Sequence, residues 1–320
     1  MKKNTSIVLF IVIGFLQLQA QELPLYQYYL LNPYLVNPAM AGVSRQTEFR
    51  ATFAKQWVGL PGAPSTQTLS GHSGVGKGMG VGGYFYNDKN GLNRETGLNL
   101  SGAYHIQLGE NRSMLKFRQL SFGLGISGFQ HSVNISDFTE HDYDPAVDGA
   151  EKSAFAIDLN VGTFFRYDGF FAGFSATGLM NRNLTIYDDA TEPAFPSYLF
   201  FNTGYLFSPS ERFLLEPSIM YKYNTFKRHQ IDLNLKAIFM QLADQQYWIA
   251  LSFRRNMDPG NAQSLDLLAL LGLNYRGFLF SYAYDFGMSE LNSSNSGSHQ
   301  LMVGFRLKST KKHHINCPIF

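Results

Sequence analysis

Apolar and polar residues alternate along most of this chain. In residues 96–108, Leu98, Leu100, Tyr104, Ile106 and Leu108 interleave with Asn99, Ser101, Ala103, His105 and Gln107. Residues 155–166 set Phe155, Ile157, Leu159, Val161 and Phe165 against Asp158, Asn160, Gly162 and Arg166. Ile231, Leu233, Leu235, Ala237 and Phe239 flank Asp232, Asn234 and Lys236. Leu301, Val303, Phe305 and Leu307 alternate with Gln300, Met302, Gly304 and Arg306. A period of two belongs to strands whose faces meet different surroundings. Segments of about ten such residues, separated by turn residues, are the pattern of a transmembrane barrel. A soluble sandwich has the same period, with one face in its core.

Fourteen strands are predicted, beginning near Glu48, Thr66, Gly78, Arg94, Leu115, Ala154, Phe170, Ser197, Arg212, Gln230, Gln246, Ser264, Gly277 and Ser298. Short connections are expected at 109–113, 167–169, 208–211 and 275–277, and long ones at 134–153, 181–196, 255–263 and 287–297. This near-alternation fits an outer-membrane barrel of even strand number, with short periplasmic turns and long outer loops. Residues 21–45 and the C-terminus then belong to the periplasmic side. A charge facing lipid at mid-depth costs about 2–4 kcal/mol. Asp158, Glu216, Asp232, Lys236 and Asp266 are therefore expected in the lumen or near an interface.

The first residues support export. Residues 1–20 carry Lys2 and Lys3, then an apolar run from 7 to 16, then Ala20, which is the build of a cleaved signal peptide. Position 21 is Gln, which argues against lipoprotein processing. No later stretch holds the roughly 18 consecutive apolar residues of a membrane helix. The chain has 28 Phe, 18 Tyr and 30 Gly, with 16% charged residues. Such a chain reaches a membrane as a barrel. Loss of Lys2 and Lys3 lowers Lys+Arg from 26 to 24, equal to the 24 Asp+Glu. No basic stripe for nucleic acid is left. The single cysteine, Cys317, excludes an internal disulfide and a multi-cysteine metal site.

Residues 27–42 contain two Asn-Pro pairs, Asn32-Pro33 and Asn37-Pro38. Asn is a good N-cap and Pro suits the first helical position, so each pair predicts a capped turn or short helix. Gly42 allows the chain to turn out. Gly59, Gly62 and Pro64 predict a tight loop after Trp57. Trp57 and Trp248 lie near predicted strand ends and are expected in an aromatic belt. Residues 74–83 are rich in glycine but lack the phosphate-loop pattern, so a turn and a small-residue strand face are expected. Asp137, Glu140, Asp142, Asp144, Asp148 and Glu151 do not follow calcium-loop spacing and are expected in a hydrated outer loop. His313-His314 lacks the further ligands of a metal site. Ser70, His72 and Asp88 are too scattered to argue for a triad. No enzyme activity, cofactor or metal site is expected.

Three segments carry a resemblance: NPYLVNPAMAG at 32–42, QWVGLPGAPSTQTLS at 56–70 and FYNDKNG at 85–91. In this order they resemble the opening of the PorP/SprF family of the type IX secretion and gliding machinery. Met40 stands where the family often has an aromatic residue. The resemblance implies an all-β, outer-membrane barrel that supports secretion or surface attachment of a partner, such as an adhesin, by binding. Its expected partners are a secreted adhesin or other secretion components, and outer-membrane lipid. It directs attention to Asn32, Pro33, Asn37, Pro38, Gly42, Gln56, Trp57, Gly59, Gly62, Pro64, Asn87 and Asp88 as partner-binding or structural positions. The alternative is a passive porin for small solutes, suggested by inward Asp158, Asn160, Asp232 and Lys236. The expected divisions are 1–20, signal peptide; 21–47, a periplasmic or plug segment; 48–308, barrel; and 309–320, tail.

Overall fold

A computed structural model describes residues 29–109, 115–133, 152–180, 195–242, 245–258, 263–288 and 295–307. The signal-peptide, acidic-loop, His313-His314 and Cys317 readings fall outside these residues. The described strands are β1 (Thr47–Lys55), β2 (Ser65–Gly76), β3 (Met79–Asn90), β4 (Asn93–Gln107), β5 (Arg118–Val133), β6 (Lys152–Tyr167) and β7 (Phe170–Thr177). They continue as β8 (Tyr198–Tyr205), β9 (Phe207–Ser210), β10 (Phe213–Asn224), β11 (His229–Leu242), β12 (Gln245–Asn256), β13 (Gln263–Tyr275), β14 (Phe278–Gly287) and β15 (Ser298–Leu307).

Except for β8, which pairs with β10, each strand pairs antiparallel with the next, and β1 pairs with β15, so the sheet closes. Closure leaves no open edge, which a membrane requires. Fifteen strands make fourteen staves, because β8 and β9 both lie against β10. Their join is irregular: Ser218 faces Gly204, but Leu215 faces Phe207. Pro217, with no N–H to donate, sits in this gap. The expected short connection at 208–211 is therefore partly strand, and the turn falls after Ser210. β5 begins at Arg118 and not near Leu115, which lengthens the β4–β5 connection.

The two faces are sorted inside-out relative to a soluble protein. Leu69, Leu100, Leu124, Phe155 and Leu271 are exposed on the outer wall. Glu48, Arg50, Asp158, Glu216, Asp232, Lys236 and Arg254 are buried inside. A continuous apolar exterior around a polar interior suits lipid and excludes the sandwich. The inward charges are paired: Arg50 lies 2.6 Å from Glu48, and Arg254 lies 3.3 Å from Asp232. Asp266 lies 3.5 Å from Arg254.

Aromatic rings gather on the outer wall toward both ends. Tyr205 and Phe207, Phe213 and Phe239, and Phe278 and Phe305 lie toward the short turns, with centroids 4.6, 5.0 and 4.9 Å apart. Toward the long connections, Tyr221 and Tyr223 adjoin His229, and Tyr282 and Tyr284 adjoin His299. Such girdles mark the two membrane interfaces.

Candidate functional site

Residues 29–43, ahead of β1, lie inside the barrel. The Tyr29 hydroxyl accepts a bond from Asn234 of β11 at 2.8 Å. The Leu31 carbonyl accepts from Arg50 of β1. Asn32 Nδ2 donates to Ser70 Oγ of β2 at 2.9 Å. The Tyr34 hydroxyl meets Ser101 Oγ of β4 at 2.6 Å, and its ring packs edge-on to His72 and Tyr84. Burial pushes the Tyr34 phenol up to about 12. Ser175 of β7 donates to the Val36 carbonyl at 2.6 Å. The segment thus touches strands on several sides of the lumen before returning to the wall.

The return leg is residues 36–42. Pro33–Leu35 and Pro38–Met40 are each a single 3-10 turn. Asn37 caps the second: its Oδ1 accepts from Ala39 N at 2.9 Å, while Nδ2 donates to the Thr163 carbonyl of β6 at 3.0 Å. Asn32 does not cap the first. Its side chain reaches Ser70 instead, a correction to the symmetrical reading of the two pairs. His105 Nε2 lies 2.9 Å from the Ala41 carbonyl, and Gly42 N donates to His72 Nδ1 at 3.3 Å.

This leg lies in a trough of small residues. Strand register aligns Gly74, Gly80, Ala103, Gly123, Gly162 and Ser175 across β2 to β7. A Cβ on Gly80 would overlap the Ala41 carbonyl, one on Gly123 the Ala39 amide, and one on Gly162 the Asn37 side chain. A Cβ on Gly82 would come within 2.6 Å of the Tyr34 hydroxyl. Two of these obstructions are backbone, which cannot swing aside. Gly42 faces the same restriction from the other side, with φ +68° and Ser73 O 2.6 Å from where its Cβ would be.

The remaining motif residues gather at the other end of β1. Gln56 N donates to Pro64 O at 2.9 Å, closing the β1–β2 loop. Val58 pairs with the β14–β15 connection through Gly297 O and Ser296 N, at 2.9 and 2.8 Å. Trp57 N donates to Ser298 Oγ at 3.3 Å. Gly62 O accepts from Gly91 N at 3.0 Å. Trp57 adopts φ +45°, uncommon for a residue with a Cβ, beside Gly59 at φ +104° and Gly62 at φ +69°. Asp88 is buried and accepts from Thr66 Oγ1 at 2.6 Å. Asn87 Oδ1 accepts from Arg94 Nε at 2.8 Å. Along β2, Thr66, which holds Asp88, lies four residues, about 13 Å of strand, from Ser70, which holds Asn32, so the two groups are seated at different levels of the wall. The structure therefore does not bring the two motif groups together.

Compared with known families, residues 18–305 match the type IX secretion system membrane protein PorP/SprF. The chain belongs to the PorP/SprF family. No curated protein matches it by sequence. Solved structures with similarity include the Pseudomonas putida toluene transporter TodX, at 10% identity and TM-score 0.46, covering 86% of this chain and 91% of that one. BamA from Haemophilus ducreyi lacking POTRA domains 1–3 matches at 9% identity and TM-score 0.44, covering 82% and 70%. A bacterial polysaccharide outer-membrane secretin matches at 8% identity and TM-score 0.45, covering 83% and 100%.

The PorP/SprF chain is an outer-membrane β-barrel, and several residues that seat its segment escaped the sequence reading. Arg50, Ser101, His105 and Ser175 form the contacts above, yet each reads alone as an ordinary inward polar residue, and Thr163, in the outward register of Val161 and Phe165, contributes only its backbone carbonyl. The inward glycines were the available signal. Trp248 requires a second correction: it is not in an outer belt. Its ring is 7% exposed and packs within the lumen among Leu214, Ile238 and Leu268. Gly272, opposite it on β13, leaves the space for the indole. Lys236 Nζ sits 4.8 Å from the ring centroid, a cation–π contact. Among the described residues, no group of three or more His, Cys, Asp or Glu is arranged to hold a metal.

Proposed function

We propose that this PorP/SprF protein is a sealed outer-membrane barrel that supports secretion or surface attachment of a partner protein by binding it. The partner class is a secreted adhesin or another component of the type IX machinery. One observation carries the reading beyond family membership: the chain's own residues 29–43 are buried in the lumen that a passive porin would keep for solute. In this reading the segment with Asn32, Pro33, Asn37, Pro38 and Gly42 is the seal. The hydrogen-bonded loop with Gln56, Trp57, Gly59, Gly62 and Pro64, together with Asn87 and Asp88, is a rigid platform at the outer mouth. Strain held at Trp57 is consistent with such a site. Residues 1–20 serve as the cleaved export signal.

The test is a gentle detergent pull-down of the tagged mature protein from outer membranes, read by mass spectrometry, beside single-channel recording in planar bilayers. The expected result is co-purification of a large secreted protein or of secretion components, with no stable conductance. Stable conductance with no such companion would replace this reading with the porin.

A further inference from the structure

The two tyrosine–histidine clusters at the long-connection end are built alike. Tyr223 faces His229 across β10 and β11, and Tyr284 faces His299 across β14 and β15. In each, the tyrosine two residues earlier bonds Nδ1 of the histidine: Tyr221 to His229 at 2.6 Å, and Tyr282 to His299 at 2.7 Å. Each has a cation nearby. Lys227 stands in the β10–β11 turn, and Lys55 lies opposite His299 on β1.

They differ in what is left open. His299 Nε2 is engaged by the Ser296 carbonyl at 3.2 Å. His229 Nε2 has no partner among the described residues. The Tyr221 hydroxyl occupies Nδ1, which leaves Nε2 for an outside partner, as a donor in the tautomer whose Nδ1 accepts from the phenol. The His229 cluster also borders an outer-wall hollow of about 680 Å³. Phe174, Leu199 and Phe201 form its apolar floor, with Tyr221, Tyr223 and Lys227 at its edge. Lys227 is held at φ +60° by a turn in which Asn224 Oδ1 accepts from Phe226 N and Arg228 N, at 3.0 and 3.2 Å. Backbone strain of this kind recurs at ligand clamps. Arg255, exposed on the neighbouring β12 opposite Ile231, adds a second outward cation.

An apolar floor in the lipid band, rimmed by cations and an imidazole Nε2 open at the interface, matches an amphiphile with an anionic head. We propose that this hollow binds one phosphorylated lipid of the outer leaflet. An acyl chain would lie along Phe174, Leu199 and Phe201, and the phosphate would accept from Lys227 and His229 Nε2. The His299 cluster, closed by Ser296, is its internal control. The proposal does not depend on which protein partner the barrel serves.

The full-length mature protein would be stripped of lipid in detergent and titrated with monophosphoryl lipid A or its dephosphorylated form. Native mass spectrometry would count bound lipid, and heat-modifiable gel mobility would check the fold. One phosphorylated lipid should be retained in preference to the dephosphorylated form. Lys227→Glu should weaken retention by roughly tenfold or more, while Lys55→Glu leaves it unchanged. Equal retention of the two lipids, or equal effects of the two substitutions, would overturn the proposal. Displacement of the lipid by inorganic phosphate alone would also overturn it, since the floor would then contribute nothing.

Discussion

The two halves of the lumen are filled in opposite ways. From β2 to β7 the wall presents Gly74, Gly80, Ala103, Gly123, Gly162 and Ser175, and a separate stretch of backbone lies against them. From β10 to β14 the wall fills much of its interior with its own Leu214, Ile238, Trp248, Leu268, Leu270 and Leu279, beside which Leu31 of the segment packs. Large side chains anchored in strands cannot leave without unfolding the barrel. A segment held by hydrogen bonds and close packing can leave while every strand pair stays intact. Any opening of this barrel should therefore occur on the glycine side.

The largest expected effect comes from removing that asymmetry. Gly80→Leu together with Gly123→Leu places side chains where the Ala41 and Ala39 backbone now lies. The barrel should still assemble, with normal heat-modifiable mobility, but residues 29–46 should become cleavable by added protease and conductance should appear. An assembled, closed and protease-resistant variant would refute the seat. On the other side, Trp248→Ala should lower stability by about 3–5 kcal/mol. Guanidinium unfolding in detergent should register the loss, and the segment should stay protected. Protease sensitivity of residues 29–46 in this variant would erase the distinction between the halves.

Smaller changes sharpen the comparison. Asn37→Ala removes a cap and the bond to Thr163, and should weaken seating by about 1–2 kcal/mol. Asn32→Ala removes the bond to Ser70 and should cost about 1 kcal/mol. Hydrogen exchange across residues 29–43 would rank the two, and the reverse order would contradict the capping geometry. The smallest effect concerns pH. Tyr34 ionises at about 12 when seated, against an ordinary value near 10. Its neutral form is the one favoured in the seat, so its contribution is complete below about pH 10 and is lost as pH rises toward 12. Tyr34→Phe should flatten this part of the protection profile, and an unchanged profile would assign it to another group.

Much of the wall was legible because a lipid-facing strand must alternate. Asp232 and Lys236 could be placed inward from their neighbours Leu233 and Leu235 alone, since the period is two. The β8–β9 break was not legible, because it arises from a register mismatch with β10 some ten residues further along. Trp248 was misread because tryptophan near a strand end fits a belt equally well. Its inward direction becomes clear from Gly272 on the facing strand. Asn32 and Asn37 have the same local sequence, Asn-Pro, yet one bonds a distant serine and the other its own turn.

By itself, the sequence determined the staves of the barrel, the faces they turn outward and the family to which the chain belongs. Local alternation and short motifs carry that information within a few residues. The tertiary structure decided that residues 29–43 lie inside, that six small residues from six strands line up beneath them, and that the motif groups are seated at different levels of the wall. Those outcomes depend on strand register around a closed sheet, which relates residues far apart in the chain and leaves no local trace.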